Sequence, residues 1–134
     1  MADYDQVLAL WRDAGSGLQL RPSDEPAGIA LKLTRDPDLF LVAEASDGAI
    51  VGVVIGAWDG RRGWIHHLAV RQGWREQGIG SALVAAVEQG LRAKGCLKVN
   101  LLVRPDNKAA IGLYRTLGYA DSGMLAMGKE LRTD

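Results

Sequence analysis

Val70-Arg71-Gln72-Gly73-Trp74-Arg75-Glu76-Gln77-Gly78-Ile79-Gly80-Ser81-Ala82-Leu83 is the stretch on which the fold turns. The apolar run Gly63 to Val70 (GWIHHLAV) reads as a strand ending at Val70, and a loop carrying Arg75 follows it. Gly78-x-Gly80 then opens a helix in which Leu83, Val84, Val87 and Leu91 recur at helical spacing, with Gly95 as its stop. Glycines at such a junction let the backbone approach a ligand closely and take turn conformations that other residues avoid. The unbonded amides of the first helical turn lie at the positive end of the helix dipole, which suits phosphate. On the residues alone, three readings stay open. A dinucleotide fingerprint lacks its third glycine, because Leu83 stands there, and it should follow the first strand of a parallel unit. A P-loop lacks its lysine. The plainest alternative is a helix start that only needs flexible residues.

The organisation around this junction is α/β. The first helix is expected near the start, capped by Asp3 or Asp5, with Val7, Leu8, Leu10 and Trp11 as its apolar stripe and Gly15-Ser16-Gly17 as its end. A second runs from Asp24 to about Arg35, burying Ile29, Leu31 and Leu33, and Asp36-Pro37 closes it. Leu39 to Ala45 and Ile50 to Ala57 are apolar runs joined by Ser46-Asp47-Gly48, which predicts a hairpin, and Asp59-Gly60 turns into the strand Gly63–Val70. After the helix from Gly78, a strand is expected over Lys98–Val103, then a helix capped by Asn107 and ended by Gly118. The tail, Tyr119 to Leu131, is the weakest strand candidate. This order predicts a mixed sheet, mostly antiparallel, with helices on its faces and one strand–helix–strand crossover.

Composition narrows the function classes. With 134 residues, 48% apolar and 24% charged, the chain has the size of one globular domain, residues 1–134. Sixteen basic residues against sixteen acidic ones leave no net charge, which argues against gripping nucleic acid through phosphate neutralisation. No apolar run approaches the ~18 residues of a membrane span. The acidic, polar start, Met1 to Gln6, lacks a signal-peptide shape, and the single Cys96 fits a reducing compartment, so a cytoplasmic location is expected. One cysteine and two adjacent histidines do not make a structural zinc cluster, and no metal is expected. Seventeen glycines, nearly twice the usual ~7%, ask for positional explanations.

Arg75-x-x-Gly78-x-Gly80, between a strand ending Leu68-Ala69-Val70 and a long helix, resembles the pyrophosphate loop Q/R-x-x-G-x-G/A of the GNAT family of N-acetyltransferases. Asn107-x-x-Ala110-x-x-x-Tyr114 followed by Leu117-Gly118-Tyr119 resembles a second family segment. Blocks at Leu39–Glu44, Asp59–Gly63, Gly95-Cys96 and Met127–Lys129 are similar to the small bacterial YpeA-like subgroup. The resemblance runs from about residue 5 to 131. It implies an acetyl-CoA-dependent N-acetyltransferase that moves an acetyl group to a primary amine, of a small molecule or a protein, by direct attack in a ternary complex. A non-catalytic acyl-CoA-sensing module of the same fold is the alternative; Tyr114 favours the enzyme.

The resemblance also implies roles. It places the amides of Glu76, Gln77, Gly78, Ile79, Gly80 and Ser81 on the cofactor's pyrophosphate, with Arg75 in the same loop. Leu68, Ala69 and Val70, on a splayed strand, fall beside pantetheine and the acetyl carbonyl, and Asn107 on the cofactor side. Tyr114 becomes the general acid toward the departing sulfur; a phenol (~10) and a thiol (~8.5) are close enough in pKa to share a proton. Asn107 is also a plain N-cap candidate. The base does not carry over, because Leu102 stands where some relatives have a glutamate. Glu44, at the end of an apolar strand, His66 and His67 are the candidate bases, beside deprotonation through ordered water, and Glu44 is the expected one. His66 and His67 are substrate-side candidates, expected by strand alternation to face opposite ways, His66 with Leu68 and His67 with Ile65. Family members usually begin with a strand that has no place before this first helix, so the sheet is expected to lack it unless the start of the chain is placed late. The strand Leu39–Ala45 would then be an apolar edge that a second subunit, in a homodimer, could cover.

Overall fold

In the computed structural model, which describes residues 3–13 and 21–131, the apolar runs pair into one sheet of order β1-β2-β3-β4. β1 (Phe40–Glu44), β2 (Ile50–Trp58) and β3 (Gly63–Val70) form an antiparallel meander, and β4 (Val99–Leu101) runs parallel to β3. Helix α3 (Ile79–Ala93) is the crossover between β3 and β4, as a parallel pair requires. Helices α1 (Tyr4–Asp13) and α2 (Pro26–Arg35) cover one face of the sheet; α3 and α4 (Lys108–Thr116) cover the other.

The central strand β2 is buried on both sides, which is why its sequence, IVGVVIGAW, does not alternate. Val53 and Ile55 pack with Val7, Leu10 and Trp11 of α1 and Ile29 of α2. Val54, on the opposite face, joins Leu83, Val84, Val87 and Leu91 of α3. Three glycines on that second face make room for the helix. A Cβ on Gly52 would lie 3.0 Å from both Ile79 Cγ2 and Leu83 Cδ1, one on Gly56 2.8 Å from Val87 Cγ1, and one on Gly63 2.6 Å from Leu91 Cδ1. Ile79, Leu83, Val87 and Leu91 are spaced four apart, so one ridge of α3 sits in a trough of missing side chains. A Cβ on Gly90, on the helix side, would lie 3.0 Å from Leu39 Cδ2.

Some expectations shift. Helix α2 starts at Pro26 rather than Asp24, since a proline suits the first helical turn, and Asp24 instead ends a 3-10 turn, Pro22–Asp24. Leu31 is exposed, because the face that buries Ile29 returns at Leu33, four residues on. β4 is shorter than Lys98–Val103. The tail candidate is not a strand: the chain turns at Gly123 (φ 73°), where Asp121 Oδ1 accepts its amide, and Met124, Leu125, Met127 and Leu131 are exposed. The Gly15–Gly17 stop lies outside the described residues. Within them β1 is an edge strand of the sheet.

The trough makes a stability prediction. Gly56→Ala should cost about 1–3 kcal/mol by overpacking, read as a lower urea midpoint at unchanged slope. Introduced into a Val87→Ala background, the same change should cost less. Equal cost in both backgrounds would show that the helix does not sit on this glycine.

Candidate active site

The register between β2 and β3 breaks at one place. Ile55 pairs with His66 and Val53 with Ala69, so Val54 faces two residues, His67 and Leu68. His67 takes a left-handed conformation there (φ 51°), a β-bulge that bends and twists the strand. The β3–β4 ladder stops at the pair Ile65–Leu101, just before the bulge, and β3 continues to Val70 paired with β2 only. Arg71 N donates to Val51 O at 2.7 Å, which fixes the parity of the antiparallel ladder. Ala69 therefore turns its main chain to β2, while Leu68 and Val70 turn theirs to the side that β4 has vacated. Of the three strand residues expected at the cofactor, Ala69 faces away; its methyl is buried under α1.

The chain leaves β3 into an exposed loop with Gly73, Glu76 and Gly78 at positive φ (90°, 66° and 83°). Gly78 N-caps α3 without any side-chain bond. The first intrahelical bond is Ala82 N to Gly78 O, so the amides of Ile79, Gly80 and Ser81 have no carbonyl within the helix. Arg75 folds back: Nε bonds Val70 O at 2.9 Å and Nη2 lies 3.5 Å from Asp13. Gln77 Nε2 bonds Gly73 O. Gly80 joins the elements, since a Cβ there would lie 3.1 Å from Leu113 Cδ2 of α4 and within 4 Å of Val70 and Leu68.

Tyr114, next along α4, is buried in the same cluster that Leu68, Ile79 and Ala110 pack against. Burial pushes its pKa up to about 12. Tyr119 packs edge-on against it at 5.6 Å and donates to Glu88 Oε2 at 2.7 Å. Asn107 is the N-cap of α4, accepting from Ala110 N at 3.2 Å. The structure thus brings together Leu68, Val70, the start of α3 and Tyr114. It does not bring Glu44 to them. That residue is exposed at the end of β1, two strands from β3, roughly 10 Å at ordinary strand spacing, and on the side away from β4.

The histidines also depart from simple alternation. Ile65 packs under α3 and Leu68, three residues on, packs against the same cluster; the bulge inserts the extra residue between them. His67 goes to the α1 face instead, edge-on to Trp11 at 5.2 Å, with Nε2 2.8 Å from Asp24 Oδ2. Asp24 was not legible as a site residue, since nothing in Pro22-Ser23-Asp24 signals a partner 43 residues away. His66 stacks parallel to Trp64 (6.5 Å). Solvent reaches part of its ring, yet crowding by surrounding protein, then the charges of His67 and Lys32, lowers its pKa. Among the described residues no His/Cys/Asp/Glu group could hold a metal ion, and no helix is long and apolar enough to cross a membrane.

The sequence pattern of the Acetyltransferase (GNAT) family matches residues 4–119. The chain belongs to the GNAT acetyltransferase family. An acetyltransferase of Yersinia enterocolitica is 43% identical over 134 residues, 99% of this chain and 92% of the relative. One from Pectobacterium atrosepticum is 44% identical over 133 residues, 98% and 92% of the two chains. Among solved structures, Ard1 from Thermoplasma volcanium is similar with a TM-score of 0.72 at 29% identity, over 87% of this chain and 78% of that one. The PaiA N-acetyltransferase of Thermoplasma acidophilum, solved with coenzyme A, shares the fold (TM-score 0.79, 19% identity, 89% and 84% covered). The mixed, mostly antiparallel sheet flanked by helices is thus the GNAT fold.

The site yields a pH prediction. Because the folded protein holds His66 below its ordinary ~6.5, the unfolded chain binds more protons just below that pH. Stability should therefore fall as pH drops through this range, and His66→Gln should flatten the slope of urea midpoint against pH. An unchanged slope would remove His66 as its source.

Proposed function

We propose that the chain is an acetyl-CoA-dependent N-acetyltransferase that moves an acetyl group to a primary amine, of a small molecule or a protein, while donor and acceptor are both bound. The observation that carries this reading is the parting of β3 from β4 directly beside the uncapped first turn of α3. Bound acetyl-CoA supplies a thioester, from which amines accept acetyl readily. The residues present fit it. The amides of residues 76–81 offer donors at a helix N-terminus, and Gly78 presents them in a conformation a side chain would strain. Arg75, tied to Val70 and Asp13, stiffens that loop. Leu68 and Val70 turn main-chain groups to the open side, where a donor fixed in advance stabilises charge developing on the carbonyl oxygen. Asn107 sets the start of the helix that carries Tyr114.

Tyr114 acts at the departing sulfur. With its phenol at about 12 and a thiol near ~8.5, complete proton transfer to the thiolate is uphill by about 5 kcal/mol. The phenol therefore works by donating a hydrogen bond as negative charge grows on sulfur. Such a bond to a charged group is worth about 1.5–3 kcal/mol. A single-domain cytoplasmic protein with a second subunit along the β1 edge completes the reading.

Two measurements test it. A thermal-shift titration should show stabilisation by acetyl-CoA, about 2.7 kcal/mol at ~100 times its Kd, and none by NAD or ATP; stabilisation by NAD alone would overturn it. Tyr114→Phe should lower turnover about 10- to 100-fold with acetyl-CoA affinity unchanged. Full turnover in that variant would remove Tyr114 from the reaction.

A further inference from the structure

We propose that His67 is the base that takes the proton of the acceptor amine, with Asp24 holding its imidazole in the tautomer the task requires. This assignment rests on the acetyl-transfer reading and concerns the acceptor side of the same site. The bulge places His67 directly before Leu68, whose main chain faces the open side of β3. Its ring leaves the strand on the face covered by α1, whereas Tyr114, Leu113 and the start of α3 fill the opposite face. Helices lie on both faces, yet a fifth of the His67 side chain stays open to solvent on the α1 side, next to the main chain of Leu68, and it is from this side that the amine reaches the opening. His67 stands there.

Its surroundings are built to orient it. Asp24 is buried (6% exposed), and its Oδ2 accepts both the His67 contact and the amide of Arg21, each at 2.8 Å. Tyr4 Oη, from α1, donates to the carbonyl of Asp24 at 2.8 Å, which ties the turn before α2 to the same point. An ionised carboxylate only accepts hydrogen bonds, so the imidazole proton sits on Nε2 and the lone pair on Nδ1. Trp11, edge-on at 5.2 Å and 62°, closes one side of the ring, yet 20% of the His67 side chain stays open to solvent. Among the described residues, Asp24 of the turn bonds its ring and His66 precedes it on the strand; Tyr4 of α1 bonds the Asp24 carbonyl, and Lys32 of α2, bound to Asp36 at 2.8 Å, acts on His66.

An ammonium loses two protons in becoming an amide. The first passes to Nδ1, giving an imidazolium beside the ionised Asp24 and freeing the nitrogen lone pair. That pair forms the C–N bond while the C–S pair withdraws to sulfur. The second proton neutralises the thiolate, and the imidazolium returns its own to solvent. Glu44 has no such position, being exposed at the far edge strand.

The test uses the full chain, its His67→Gln and Asp24→Asn variants, and glycinamide, spermidine and lysine amide as probe amines. Thiol release from acetyl-CoA is followed from low to high pH, and long-range proton–nitrogen NMR reads the imidazole tautomers. His67→Gln should lower turnover about 10²- to 10⁴-fold, leave KM for acetyl-CoA unchanged, and remove an ionisation that controls the wild-type profile. Asp24→Asn should lower turnover less and allow a proton onto Nδ1 of His67. In the wild type the neutral ring should carry its proton on Nε2. The proposal is overturned by wild-type turnover with an intact pH profile in His67→Gln, or by a neutral wild-type ring protonated on Nδ1. The spectrum decides alone if none of the three amines is acetylated or if a variant fails to fold. Loss of acetyl-CoA stabilisation in the wild type would instead strike the acetyl-transfer reading.

Discussion

At the centre of β3, His67 and Leu68 together face Val54 of β2, and the geometry of the site follows from that one extra residue. Had the strand run without it, alternation would have continued and β4 would have had a regular edge to pair with. With it, the strand bends, the ladder to β4 ends at Ile65–Leu101, and the main-chain groups of Leu68 and the amide of Val70 turn to an open side, the Val70 carbonyl being held by Arg75. The same residue throws His67 onto the α1 face beside Asp24 and Trp11. One irregularity thus opens the sheet and supplies a partly open polar side chain on the α1 face.

An open edge alone would bind little. What completes it is the seat of α3. The ridge Ile79–Leu83–Val87–Leu91 lies in the trough over Gly52, Gly56 and Gly63, which fixes the helix close to the sheet with its first turn at the end of β3. Gly78, left-handed and without a capping side chain, leaves the first amides of the helix to an outside acceptor. Arg75, bound to the Val70 carbonyl, holds the loop that separates the two donor sets. Core packing in this molecule therefore aims backbone groups, and the side chains that chemistry needs are few.

Much of this was legible in the sequence. Gly78-x-Gly80 after an apolar strand marked the helix start, because only backbone geometry asks for glycine there. The hairpin at Asp47-Gly48 and the crossover to β4 followed from turn chemistry and period. Other parts left no local signal. His66-His67 gives no hint of a bulge, so strand parity put His67 with Ile65, whereas the structure sends the two residues to opposite faces. The glycines at 52 and 56 carry no turn; their cause is a helix some 30 residues onward, visible only once packed. Asp24 is a short-range turn residue by sequence and a long-range partner in space. The parity of the ladder turns Ala69 to β2, and the order of the sheet sets Glu44, expected from its place at a strand end, away from the opening.

Acetyl transfer by this chain depends first on where acetyl-CoA meets the backbone. Amide hydrogen exchange, resolved by residue with and without acetyl-CoA, reads that contact. Protection is predicted at Leu68, Val70 and residues 76–81, the groups turned to the open side of β3 and the start of α3. Protection absent there and confined to the cleft between α1 and the start of β2, lined by Gln6, Asp13, Ile50 and Arg71, would contradict it.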